Sequence, residues 1–124
     1  MTEPARGTGH TAVHVRDIDS DGAWTLVRRS LGISAFGVNL VEIAPGGSIP
    51  AHDETGSDQE ELYAVLSGDA VAVLDGERVP APEGTFVRVS PEVHRTLENP
   101  GPAVVTALVV GAPRGSGFEP LGWC

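Results

Sequence analysis

Apolar residues fall in short, strand-length runs along this chain, and no stretch keeps a helical period. The runs read as strands: 11–16 (TAVHVR), 24–29 (WTLVRR), 36–43 (FGVNLVEI), 61–67 (ELYAVLS), 70–74 (AVAVL), 77–81 (ERVPA), 85–89 (TFVRV), 94–98 (HRTLE) and 103–110 (AVVTALVV). Turn residues punctuate them, with 16 glycines and 10 prolines in the chain. "SGD" (67–69) and "LDGE" (74–77) read as hairpin turns, and Asp75-Gly76 suits a turn with positive φ. Strands this short and this evenly spaced predict an all-β sandwich or barrel. The first residues and the Gly/Pro-rich tail "GAPRGSGFEPLGWC" are expected to drape over it, with Trp123 a candidate anchor for the tail.

Composition narrows the function classes. The 124 residues fit one domain with one core, and 40% of them are hydrophobic. Seventeen acidic and eight basic residues give a net charge of −9. That charge argues against nucleic acid, whose phosphates require clustered Lys and Arg, and against an anionic membrane surface. The longest apolar run is strand-sized rather than membrane-sized. The N-terminus lacks the apolar core of a secretion signal, and the single cysteine, Cys124, permits no disulfide within the chain. Both features lead to the expectation of a cytoplasmic protein.

One stretch stands out, "PGGSIPAHDETGSDQEELYAVLSG" over residues 45–68. It carries Gly46, five residues, His52, Asp53 and Glu54, then after a gap Glu61, six residues and Gly68. A second stretch, "EGTFVRVSPEVHRTLENPG", supplies Gly84, Pro91, His94 and Asn99. In these two motifs the chain resembles the cupin superfamily, small β-barrels of jelly-roll type. The family's first motif is a glycine, five residues, His-x-His, a short gap, Glu, six residues and glycine. Its second has a glycine, a proline turn, a histidine and an asparagine. The resemblance covers roughly residues 36–110 and implies a single cupin domain over residues 1–124, an all-β cupin-type jelly-roll barrel. Glu54 stands where the family has its second histidine, six residues separate it from Glu61, and "PEVH" is tighter than the usual approach to the second-motif histidine.

Side chains two apart on a strand share a face. On that basis His52 and Glu54 can point inward together, as can Glu61, Tyr63 and Val65, and as can His94, Thr96 and Glu98 if His94 faces in. His52, His94 and Glu61 then make the two-imidazole, one-carboxylate set suited to non-heme Fe(II), with positions left open for oxygen or substrate. Adding Glu54 yields two nitrogens and two carboxylates, a harder donor set that leans toward Fe(II) or Mn(II), with Zn(II) or Ni(II) also accommodated. Tyr63 belongs to the core or reaches the pocket with its hydroxyl, and Thr96 lines the pocket beside it. The plainer reading of "DETGSDQEE" is a solvated loop, in which Asp53, Asp58 and Glu60 are surface charges. His10 and His14 read as surface residues, Arg28 and Arg29 as a solvated strand end, and Ser90 has no oriented base in the pattern.

The resemblance implies a small metal-dependent enzyme acting on a small organic molecule inside the barrel, of dioxygenase, isomerase, cyclase or lyase type, and working as a homodimer. The alternative is a metal-free barrel that binds a small molecule without catalysis.

Overall fold

The computed structural model describes residues 5–124; residues 1–4 of the expected N-terminal drape lie outside them. Strands β1 (Ala5–Gly7) and β2 (His10–Ala12) form a small hairpin of their own. They are followed by β3 (Ser20–Asp21), β4 (Trp24–Thr25), helix α1 (Val27–Leu31), β5 (Gly37–Ile43), β6 (Gln59–Ser67) and β7 (Ala70–Leu74). The chain continues through β8 (Glu77–Ala81), β9 (Phe86–Val89), β10 (Arg95–Glu98) and β11 (Val105–Pro113). A six-stranded sheet in the order β3-β4-β5-β11-β6-β9 faces a three-stranded one in the order β10-β7-β8. All the strand pairs are antiparallel, as in a jelly roll.

The inner faces follow the period of two of an extended strand. Val41 and Ile43 of β5, Tyr63 and Val65 of β6, Val87 and Val89 of β9, and Val105 and Ala107 of β11 meet Ala70, Ala72, Ala81 and Leu97 of the smaller sheet. Small alanines on β7 and β8 face the larger residues opposite, so the layers interlock without crowding. Burying such a side chain contributes about 1.5–3 kcal/mol for Val or Leu.

Two expected strands take another form. Residues 11–16 are strand only to Ala12; Val15–Asp17 is a 3-10 turn, held by His14, whose Nδ1 accepts from the Arg16 backbone N–H at 3.2 Å. A side chain that bonds its own backbone competes with strand pairing in this way. Residues 24–29 pair only at Trp24 and Thr25 before turning into α1. Gly32, at φ +72°, ends that helix in the left-handed conformation and returns its N–H to the Arg28 carbonyl.

The turns also divide. Asp75 (φ 50°) and Gly76 (φ 83°) close the β7–β8 hairpin, as expected for a two-residue turn with positive φ at both positions. "SGD" is not a hairpin turn: β6 pairs with β11 and β9, while β7 pairs with β8 and β10. Gly68 carries the chain from one sheet to the other, at φ +79° and tight against the Val104 carbonyl. The tail beyond Pro113 is exposed, and Trp123 is 83% exposed, so it anchors nothing in its own chain. No helix among the described residues is long and apolar enough to cross a membrane.

Candidate metal centre

β6 fixes the first two groups of the site. Its alternation places Glu61 and Tyr63 inward beside Val65, and Tyr63 is fully buried. His52 arrives differently, from a segment outside any regular strand. Residues 46–52 run alongside β10, with Gly46 N–H donating to the Asn99 carbonyl, Ile49 to Leu97 and His52 to Arg95. The Arg95 N–H returns a bond to the His52 carbonyl at 2.8 Å. Asn99, 1% exposed, ties this arrangement together, its amide nitrogen donating to the carbonyls of Ile43 and Ala103. Glu54 is held by its own N–H, which donates to the Pro91 carbonyl, and by Ser57, whose hydroxyl donates to Glu54 Oε2 at 2.7 Å.

These constraints bring His52, Glu54 and Glu61 together, each offering a donor atom within 4.8 Å of the others. His52 Nε2 lies 3.0 Å from Glu54 Oε1 and 3.9 Å from Glu61 Oε1. Its other nitrogen, Nδ1, is 2.9 Å from the Pro50 carbonyl, which can only accept. Nδ1 therefore carries a hydrogen and donates, and Nε2 is the nitrogen turned to the carboxylates. A proton or a metal ion must stand between Nε2 and Glu54. One imidazole nitrogen and two carboxylates are donors that divalent iron, manganese and zinc accept, so the residues fit such an ion through three ligands.

His94, the expected second imidazole, is not part of this cluster. The register of β10 is one residue away from the expected one: Arg95 and Leu97 are buried, and His94 is exposed. The His94 N–H donates to Asp75 Oδ1 at the β7–β8 turn, on the outside. Thr96 and Glu98 turn away from the interior with it; Thr96 donates to the Ile49 carbonyl, and Glu98 pairs with Arg78. A slip of one residue exchanges every side chain between faces. The strand's single large apolar residue, Leu97, decides which face goes in, and the Val93-Arg95-Leu97-Asn99 alternation in "VHRTLEN" was the available signal.

Arg95 is thus the site residue that the sequence reading missed. It is 0% exposed, and its Nε and Nη2 lie 3.1 and 3.0 Å from Glu61 Oε1. Nη1 donates to the Val93 carbonyl at 2.6 Å. Tyr63 donates its hydroxyl to the same Glu61 oxygen at 3.2 Å. In front of the cluster lies a pocket of about 310 Å³, whose walls include Trp24, Asn39, Ile49, Tyr63 and Val109 as well as the three acid and imidazole groups. Its size suits a small organic molecule. Asp53 lies outside it: Thr55 donates to its carboxylate through backbone N–H and hydroxyl, holding its pKa below the ordinary value. Asp58 pairs with Arg114, and Glu60 with Arg88, at the surface.

Burial, more than any other cause, pushes the Tyr63 hydroxyl far above its ordinary pKa; the neighbouring Glu61 charge adds to the rise and Arg95 opposes it. Tyr63 therefore keeps its proton and serves as a donor to Glu61. The unfolded chain releases that proton near pH 10, so the folded state binds more protons above that pH. The stability contributed by the buried hydroxyl is complete below about pH 10 and is lost as pH rises toward the folded value. Tyr63 is the chain's single tyrosine. In an alkaline titration, phenolate absorbance is expected to appear only together with unfolding seen by circular dichroism. Ionisation at an ordinary pKa in the folded protein would contradict the buried hydroxyl.

The comparisons with known proteins agree with this architecture. A family model described as the cupin domain matches residues 39–111. The chain is similar to a cupin protein from Bacteroides fragilis, with a TM-score of 0.79 at 21% identity over 93% of this chain and 92% of the other. It is also similar to a sugar phosphate isomerase of the cupin superfamily from Silicibacter pomeroyi (TM-score 0.65, 27% identity, 73% of this chain and 60% of the other). A third likeness is to a predicted oxalate decarboxylase from Thermotoga maritima (TM-score 0.58, 23% identity, 62% and 65%). No curated protein matches the sequence. The two facing sheets define a β-barrel of the jelly-roll class. The chain belongs to the cupin family.

Proposed function

We propose that His52, Glu54 and Glu61 hold a divalent metal ion and that the protein is a small metal-dependent enzyme acting on an organic molecule seated in the pocket beside Trp24, Asn39 and Tyr63. The observation that carries this reading is the convergence of one imidazole and two carboxylates in the wall of that pocket, with the imidazole held by the Pro50 carbonyl in a liganding tautomer. Fe(II) or Mn(II) suits the oxygen-rich donor set best, and Zn(II) or Ni(II) can use it. The ion would supply Lewis-acid chemistry, polarising an oxygen of the bound molecule. Around it, Trp24 and Val109 offer apolar surface, and Asn39 adds a polar residue to the lining. The isomerase and decarboxylase names of two similar structures are compatible with chemistry of this kind on a small oxygenated molecule.

Arg95 favours a second reading. A carboxylate already paired with a buried guanidinium can be a structural element of a metal-free binding barrel. Metal analysis of protein purified without chelator or affinity tag separates the two. The metal reading expects bound metal, or a rise in melting temperature on adding Fe(II), Mn(II), Ni(II) or Zn(II), and expects His52→Ala to abolish both. Neither metal content nor any thermal shift would leave the metal-free barrel.

A further inference from the structure

Position 95 faces the cluster from the strand opposite His52, and the two residues are direct partners in an antiparallel bridge. A metal-ligating side chain at 95 would therefore face the same cluster of His52, Glu54 and Glu61. The side chain there is a guanidinium, fully buried and held by hydrogen bonds from Nε and Nη1. Nε donates to Glu61 Oε1, Nη1 donates to the Val93 carbonyl, and Nη2 lies 3.0 Å from the same Glu61 oxygen without a well-aligned bond. Glu61 Oε1 also accepts from Tyr63. A divalent ion held by Glu61 would share that carboxylate with a fixed positive charge.

The geometry points to Arg95 as the residue that sets affinity and metal preference at this site: a resident cation stands in the place of a fourth ligand. This inference rests on the metal reading of the same cluster. Three consequences follow from charge and ligand count. The site offers three protein donors rather than four. It binds metal weakly because Arg95 neutralises one of its two carboxylates. It stays biased toward ions that prefer oxygen, since it has a single imidazole.

The test is a calorimetric titration of Mn(II) and Zn(II) into the full chain and its position-95 variants, each checked for folding by circular dichroism. Arg95→His removes the charge and adds an imidazole. It is expected to tighten binding roughly ten- to a hundredfold, the scale on which groups around metal ligands act, with Zn(II) gaining more than Mn(II). Arg95→Gln removes the charge while leaving an amide that can donate to Glu61 or Val93, and is expected to tighten both metals by a smaller factor. Arg95→Lys keeps the charge and is expected to stay as weak as the unaltered protein. A His variant that is unfolded alone and folds on adding metal also supports the inference; if it folds under neither condition, the Gln variant decides.

Tight binding by the unaltered protein with no gain in the His and Gln variants overturns the inference and leaves the metal reading standing. Binding by Arg95→His alone, with none by the unaltered protein or Arg95→Gln, reports only the added imidazole and overturns both the inference and the metal reading. No binding by any variant overturns both.

Discussion

Arg95→Met is expected to lower the unfolding free energy by about 3–5 kcal/mol, the range observed when one partner of a buried ion pair is removed. The reason lies in what remains. Glu61 keeps a side chain only 11% exposed, with its charge no longer balanced and the Tyr63 hydroxyl as its remaining close donor. The Val93 carbonyl loses the guanidinium N–H that now reaches it at 2.6 Å. In a chain of this size the melting temperature should fall by roughly 10–20 °C. The double variant Arg95→Met/Glu61→Gln should recover a large part of the loss. It removes both charges, and the Gln carbonyl still accepts from Tyr63. Chemical denaturation of the four proteins of the cycle measures the coupling. A loss below about 1 kcal/mol for the single variant, typical of exposed pairs, would mean that the pair is solvated and that Arg95 does not organise the site.

The second large effect is expected at Gly68. A Cβ there would lie 2.5 Å from the Val104 carbonyl oxygen and 3.0 Å from the Val105 Cα, both backbone atoms. Ala at φ +79° carries the left-handed penalty of about 1–2 kcal/mol, and relieving the contact adds roughly 1–3 kcal/mol more. Gly76 supplies the control. Its φ is +83°, close to that of Gly68, but a Cβ there meets nothing within 4 Å. Gly76→Ala should therefore cost the backbone penalty alone, and Gly68→Ala about two to three times as much. Equal losses in urea denaturation would show that the crossing between the sheets relaxes freely and that the close approach of Val104 has no energetic weight.

The sequence by itself determined the strands that bury a face. From β5 onward, runs such as "FGVNLVEI" and "ELYAVLS" are strand-length, rich in β-branched and aromatic residues, and bounded by turn residues, which suits an extended chain and no helix. It also determined that Glu61 and Tyr63 share a face, and that Asp75-Gly76 makes a two-residue turn. Those are local properties, set by side-chain direction and backbone sterics.

Tertiary structure decided the rest. Whether "SGD" closes a hairpin or crosses between sheets depends on which strands pair, and nothing within three residues carries that information. Residues 27–31 became a helix because β4 found only two partners on β5 and Gly32 could cap the turn. The site turned on a single register choice. "VHRTLEN" offers two faces, one with His94 and Thr96, the other with Arg95 and Leu97. A buried guanidinium is costly unless paired, which argues for the histidine face against the apolar signal of Val93 and Leu97. The folded barrel reverses that preference, because Leu97 fills the core and Glu61 waits on the opposite strand to receive Arg95. A residue whose burial depends on a partner 34 positions away becomes legible only when the sheets have closed around both.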